Sequence, residues 1–497
     1  MEKIIASLIF LAGLGALASA QTNAPATRPL SLQDCFAEAL QHNLDVQIER
    51  TVPEISLYNL KGAYGGFDPQ FNLGGTHNYN DQGALFQYGQ IFPPTIENNN
   101  TFSSGISGLT PWGMNYDASG NISDQHIAIG TNYTSSSGGS FGITLTQPLL
   151  KNFWIDNNRL TILVAKNRLK YSEQGLRQQI ITTVTAVENA YYELIYAREN
   201  VQVQRDALAL AETQLGDDKQ RMVVGTVAER GGTIEQDEAQ SAQSRANLIA
   251  AQNTLAVDQN TLKTLLTDNY SQWHDVVLEP TLAMTAERHF FDLQDSWGKG
   301  MTGRPDLVQA RLNVEQQGIQ LKFYRNQLFP QLDLTGSYGF NGDGNQYRDS
   351  FNEMGDGNRP YYSYGGQLTM PLSNIGPRNQ LKAGKANEKQ LLLQLKQLEQ
   401  NIMVQIDNAV KNAESAWESV DATRQARLYA EAALKAEEGK YAVGKSTIFV
   451  VLQLQSALTT ARSQEIRALA NYNQSLASLA AAEGSSLQRD NLEIKAK

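Results

Sequence analysis

Phe67-Asp68-Pro69-Gln70-Phe71-Asn72-Leu73 and Leu328-Phe329-Pro330-Gln331-Leu332-Asp333-Leu334 are two copies of one phrase, 261 residues apart. Asn43-Leu44-Asp45-Val46 and Arg304-Pro305-Asp306-Leu307 repeat at the same spacing. Farther on, Gln147-Pro148-Leu149 answers Met370-Pro371-Leu372 at 223 residues. Met222-Val223-Val224-Gly225-Thr226 answers Tyr441-Ala442-Val443-Gly444-Lys445 at 219. The chain is therefore an internal duplication, with too few copies for a solenoid. The fall from 261 to 223 places 38 additional residues between Pro69 and Pro148, rich in Asn, Gly, Ser and Tyr as surface loops are.

Outward from these junctions, proline is absent from 149–279 and 378–497, and both stretches are rich in helix-favouring residues. In the second, Leu391, Leu395, Leu398, Ile402, Ile406, Ala409, Ala413, Ala416 and Val420 recur at a mean spacing of about 3.6, one stripe along one helix. The Val-Gly breaks suit a helix C-terminus and a tight turn into a returning helix. Each long helix is then a rod of roughly 100 Å at about 1.5 Å per residue, a coiled-coil-like stave that needs neighbours.

The segments beside the four prolines alternate at period two. Barrel strands are predicted at 70–79, 140–148, 331–340 and 361–371, about the 9–11 residues that a tilted strand needs to cross a bilayer. Phe71, Leu73, Ile143, Leu145, Leu332, Leu334, Leu368 and Met370 then face lipid, and the Thr, Ser, Gly, Gln and Asn residues between them face a watery lumen. Four strands cannot close a membrane barrel without leaving backbone groups unsatisfied in lipid. The chain must oligomerise, and a trimer gives twelve strands. Phe102, Ile106, Tyr116 and Ile122 in the insertion also alternate, around Thr110-Pro111-Trp112-Gly113. The favoured reading is an extracellular hairpin over or beside the mouth. The alternative is two more strands per protomer and eighteen in a trimer.

Composition narrows the function. A net charge of −10 argues against a nucleic-acid partner. The single Cys35 rules out a cysteine-rich metal cluster, and the five histidines have no ligand-like spacing. No HExxH occurs, and neither an enzyme nor a cofactor is expected. Glu229, Glu235, Asp237 and Glu238 could serve a hydrolase, but no nucleophile accompanies them and a solvated helix start explains them better. Lys3, the apolar run from Ile4 to Leu17 and Ala18-Ser19-Ala20 read as a secretory signal peptide. No long apolar run follows, so any membrane entry must be as β-structure.

These features together resemble the TolC-type outer-membrane efflux channels. The resemblance rests on Leu30-Ser31-Leu32-Gln33-Asp34-Cys35 with Ala39-Leu40 and Asn43, on Arg304-Pro305-Asp306-Leu307, on Thr146-Gln147-Pro148-Leu149, and on both Val-Gly breaks. It covers nearly all of 31–484. It implies an α+β membrane protein in the cell outer membrane: an internally duplicated protomer giving a trimeric twelve-stranded β-barrel, continued into the periplasm by a long α-helical barrel. It further implies a passive exit duct in a tripartite efflux or type I secretion system. The implied partners are outer-membrane lipid, two further copies of the chain, a periplasmic adaptor and an inner-membrane pump. The adaptor would dock at the hairpin tips, Val224, Gly225, Thr226, Val443, Gly444 and Lys445. The competing reading is a secreted or periplasmic helical-hairpin scaffold or adhesin without a pore.

The divisions that follow are a signal peptide at 1–20, a linker and first helix at 21–68, a first strand pair with a long extracellular insertion at 69–148, and a first helical hairpin at 149–267. The second repeat has a linker and helix at 268–329, a strand pair at 330–371 and a hairpin at 372–484. A polar tail at 485–497 reads as disordered. Pro53 should kink or end its helix. Relatives carry two aspartates three residues apart at the periplasmic gate; Val450 and Gln453 stand at the matching positions, and Ser446 replaces a usual arginine.

Overall fold

The computed structural model of the chain describes residues 27–223 and 233–492. The predicted signal peptide and the tip residues Val224, Gly225 and Thr226 lie outside the described residues. In chain order, strand β1 (Thr27–Leu30) leads into helices α1 (Leu32–His42) and α2 (Leu44–Ala63). Strands β2 (Gln70–Gln82), β3 (Leu85–Gln87), β4 (Gln90–Phe92), β5 (Thr95–Leu109), β6 (Asn115–Ile129) and β7 (Asn132–Pro148) follow. Next come helices α3 (Asn157–Val223), α4 (Thr233–Leu266) and α5 (Tyr270–Trp273), then strand β8 (Val277–Pro280). The second half holds α6 (Leu293–Gly303), α7 (Pro305–Asn326), β9 (Gln331–Gly344), α8 (Tyr347–Asp356) and β10 (Pro360–Thr369). It closes with α9 (Ile375–Ala442), α10 (Ile448–Glu483) and α11 (Ser486–Arg489).

The duplication is visible element by element. Each half opens with a capped short helix, a one-residue break and a second helix that leads into a strand. Ser31 caps α1 with Asp34 in a reciprocal capping box, and Asp292 caps α6 by accepting from the Gln294 N–H at 2.9 Å. The breaks are Asn43 and Arg304, and Pro305 starts α7 at a position where its missing N–H costs nothing. Pro53 does not end its helix: α2 runs through it to Ala63, because one lost donor interrupts one bond while the flanking turns hold.

The chain forms two compact units. One comprises the described residues up to Asn43 with Ala186–Ala286 and Ser419–Asn473. In it β1 pairs parallel with β8, Thr27 opposite Val277. The buried Tyr191 hydroxyl donates to the Leu30 carbonyl at 3.0 Å and accepts from the Leu282 N–H at 3.2 Å. Cys35 is fully enclosed, and burial pushes its thiol up to about 12, so it is an inert core residue. Arg467 grips Glu193 with two bonds of 2.7 and 2.8 Å while its guanidinium stacks 3.5 Å over the Tyr196 ring.

The other unit comprises Leu44–Thr185, Glu287–Glu418 and the chain from Gln474 onward. Its helical core is the predicted stripe: Ile402 and Ile406 of α9 pack with Leu307, Val410 and Leu479, and Leu395, Leu398 and Ala409 lie against them. Its C-terminal end corrects the disordered tail for residues 485–492, the part within the described residues. Gly484 ends α10 with φ +70°, after which Ser486 and Leu487 of α11 are buried.

This second unit also holds an antiparallel sheet in the order β10-β9-β7-β6-β5-β2. It has six strands and not the four expected. The insertion, read as an extracellular hairpin, instead supplies β5 and β6 between β2 and β7. Their Asn, Ser and Gly content looks like a loop, but β6 is paired on both sides along its length and β5 over residues 95–107, which gives their backbone groups partners along the ladder. β3 and β4 form a separate two-stranded hairpin. The β5–β6 turn is closed by the Gly113 N–H on the Thr110 carbonyl at 2.9 Å. Gly113 takes φ +92°, and a Cβ there would sit 2.3 Å from Arg159 Nη2 at the start of α3. That turn therefore lies at the helix end of the sheet. At the other end α8 packs on β9, β7 and β6, its Tyr347 ring 5.8 Å from that of Phe102.

Candidate functional site

The sheet register sorts its side chains into two unlike faces. One cross-strand row runs Phe71, Ile106, Ala118, Ile143, Tyr338, Tyr362. The next runs Leu73, Ser104, Gly120, Phe141, Phe340, Pro360. Nearer the helices, Leu145 stands opposite Gly336, Leu334 opposite Gly366 and Leu332 opposite Leu368. Seven of the eight residues predicted to face lipid thus share one face, most of them exposed and Leu73 to 77%. Met370 follows immediately after β10 and is also exposed. The opposite face is polar: Asn72, Gly105, Ser119, Gly142, Gly339 and Tyr361 form one row, and Gly74, Ser103, Asn121, Ser140 and Asn341 the next. Period-two geometry makes any such sheet a partition, apolar towards one side and hydrated towards the other. Its edge strands are β2 and β10, each paired on one side only among the described residues. No described helix is long and apolar enough to cross a membrane.

At the second hairpin, Gly444 adopts φ +74° and the Lys445 N–H returns to the Lys440 carbonyl at 2.8 Å, a glycine-terminated helix end. Val443, Gly444 and Lys445 are all exposed there. The Ser446 hydroxyl donates to Glu437 Oε1 at 2.5 Å. Along the first turns of α10, Ile448, Val451 and Leu452 are buried in a cluster with Leu434 and Leu458. Val450 is half-buried and Gln453 exposed, three residues apart on one side of the helix. Phe449 is a residue that the sequence reading passed over: it stands 62% exposed beside them.

The same unit contains a polar cluster that spacing could not reveal. Asp218 receives the Tyr441 hydroxyl and the Gln214 amide, the latter at 2.8 Å, with Arg221 Nη1 at 3.6 Å. Asp237 is 1% exposed with neither carboxylate oxygen hydrogen-bonded. Burial, and then the charge of Asp218, push the Asp237 carboxyl up to about 7. Of the acidic run read as a solvated helix start, Glu238 fits, exposed and 2.9 Å from Lys219 Nζ. Asp237 does not fit, because tertiary packing covers it. Glu235 lies in the first turn of α4, and Glu229 lies outside the described residues.

Comparison with known proteins agrees with this geometry. The family model described as outer membrane efflux protein matches residues 113–267 and 301–485, running through both repeats. The chain is similar to the outer membrane efflux protein BepC of Brucella suis, 24% identical over 334 residues that span 66% of this chain and 68% of the relative. It is similar to the outer membrane protein TolC of Vibrio cholerae, 25% identical over 363 residues that span 72% and 79%. Among solved structures, the CmeC outer membrane channel of Campylobacter jejuni superposes with a TM-score of 0.66 at 14% identity, covering 94% of this chain and 90% of the other. A chain with two repeats of one helix-and-strand pattern, a two-faced sheet and this match belongs to the outer membrane efflux protein family, whose members reside in the outer membrane.

Proposed function

We propose that three copies of the chain close one barrel and serve as the exit duct of a tripartite efflux or secretion system. The observation that carries this reading is the six-stranded sheet with one apolar and one polar face. Its strands alternate in direction, so edge strands β2 and β10 run oppositely and can join head to tail in an all-antiparallel seam. Closure removes the free edges that lipid would not tolerate. Three protomers then give eighteen strands in place of twelve. At ordinary strand spacing and tilt the backbone diameter rises from about 24 Å to about 35 Å.

In this reading the polar face lines a wide hydrated path, and a pump supplies the driving force through an adaptor seated at the hairpin tips. Val443, Gly444 and Lys445 are the tip residues within the described chain, and Val450 and Gln453 form the periplasmic gate. A duct of this kind catalyses no bond change; it removes the barrier to crossing. Pairs of cysteines scanned along β2 and β10 test the seam. Oxidation should give a ladder that ends at the trimer on denaturing gels. Products confined to single chains or dimers would refute it.

A further inference from the structure

Where the sheet meets the helices, the second unit carries a cleft of about 660 Å³. Tyr64, Phe67, Trp154 and Phe329 line it, each within a few residues of a strand end, and Trp154 is 79% exposed. Its floor is built: Asn326 Oδ1 accepts from the Asn152 N–H at 2.7 Å, and Asn326 Nδ2 donates to the Leu150 carbonyl at 3.3 Å. Leu149 and Leu150, in the chain just after β7, are also exposed.

Four cations border this apolar space: Arg159, Lys166, Lys322 and Arg325. Arg159 is neutralised by Asp156 at 2.6 Å. Lys166 lies 5.9 Å from the Tyr64 ring, and neither it nor Lys322 or Arg325 has a carboxylate partner among the described residues. Uncompensated cations beside exposed aromatics, at the helix end of the sheet, match the two ends of a phospholipid.

We propose that this cleft is a binding site for an anionic glycerophospholipid of the periplasmic leaflet. The phosphate sits on Lys322 and Arg325 with Lys166 nearby, and an acyl chain lies along Trp154 and the sheet rim. The proposal rests on the outer-membrane reading of the sheet, and supplies a fixed lipid where wall strands turn into helices.

Native mass spectrometry of the intact full-length protein, titrated with phosphatidylglycerol, tests it. The wild type should retain the lipid, and Lys322→Ala with Arg325→Ala should lower occupancy at least fivefold. The charge-keeping pair Lys322→Arg with Arg325→Lys should restore most of it. Diacylglycerol of the same chain length should not be retained, and millimolar inorganic phosphate should not compete. Equal occupancy in the alanine variant, or equal retention of diacylglycerol, would overturn the site. So would dissociation of the oligomer by the alanine pair with lipid still bound, since the cleft would then seat a neighbouring copy. Conductance in planar bilayers separates the two readings: a variant that loses lipid but still conducts leaves the channel function standing.

Discussion

The Tyr441 hydroxyl donates to both carboxylate oxygens of Asp218, at 3.1 and 3.0 Å, three residues before the glycine that ends its helix. Asp237, enclosed beside this pair, is the group whose charge the arrangement disfavours. Its folded pKa of about 7 lies above its ordinary value of 3.8, so the native state holds a proton that the unfolded state gives up. Stability from this site is therefore present at acid pH and lost as pH rises through 7. Thermal melts of the purified protein should show that slope between about pH 4 and 7. Asp237→Asn should flatten it; an unchanged slope would mean that other groups carry the effect.

The register makes the two sheet faces unequal under charge. Leu334→Arg, on the apolar face, should cost roughly 2–4 kcal/mol of barrel stability near mid-bilayer, and Thr335→Arg on the polar face far less. Urea unfolding in lipid vesicles measures both. Equal tolerance would mean the faces are assigned wrongly.

Trp112 lies in the β5–β6 turn beside Arg159, at the helix end of the sheet, whereas Tyr88 in the β3–β4 hairpin is 94% exposed at the end of the strand that leads away from it. An impermeant maleimide added to intact cells should modify Tyr88→Cys and leave Trp112→Cys unlabelled. Labelling of Trp112→Cys from outside would invert the sheet.

At the proposed gate, Val450 and Gln453 present no carboxylates, so no ring of negative charge holds cations there. Single-channel recordings should show no micromolar block by divalent or trivalent cations from the periplasmic side. The double variant Val450→Asp with Gln453→Asp should create one. A block in the wild type that survives Gln453→Ala would place the constriction elsewhere.

Much of this protein is local in origin and could be read from the chain. The Ile402–Ile406 stripe follows from a period of about 3.6, the hairpin end at Gly444 from glycine's freedom at positive φ, and the paired halves from phrases 261 residues apart. The alternation of Leu332, Leu334, Gly336 and Tyr338 likewise assigned β9 its two faces before any neighbour was known. The strand count was different. Residues 95–129 alternate weakly at Phe102, Ile106 and Ile122 amid Asn, Ser and Gly, and only the ladders to β2 and β7 make them strands of the sheet. Asp237 sits in an acidic run that composition reads as solvated, and it is buried because packing sets it beside Asp218, to which Tyr441 also donates from the second repeat. Periodicity is a property of neighbours in sequence, and the chain carries it alone; backbone pairing and desolvation depend on which separate segments meet, and only the tertiary structure decides them.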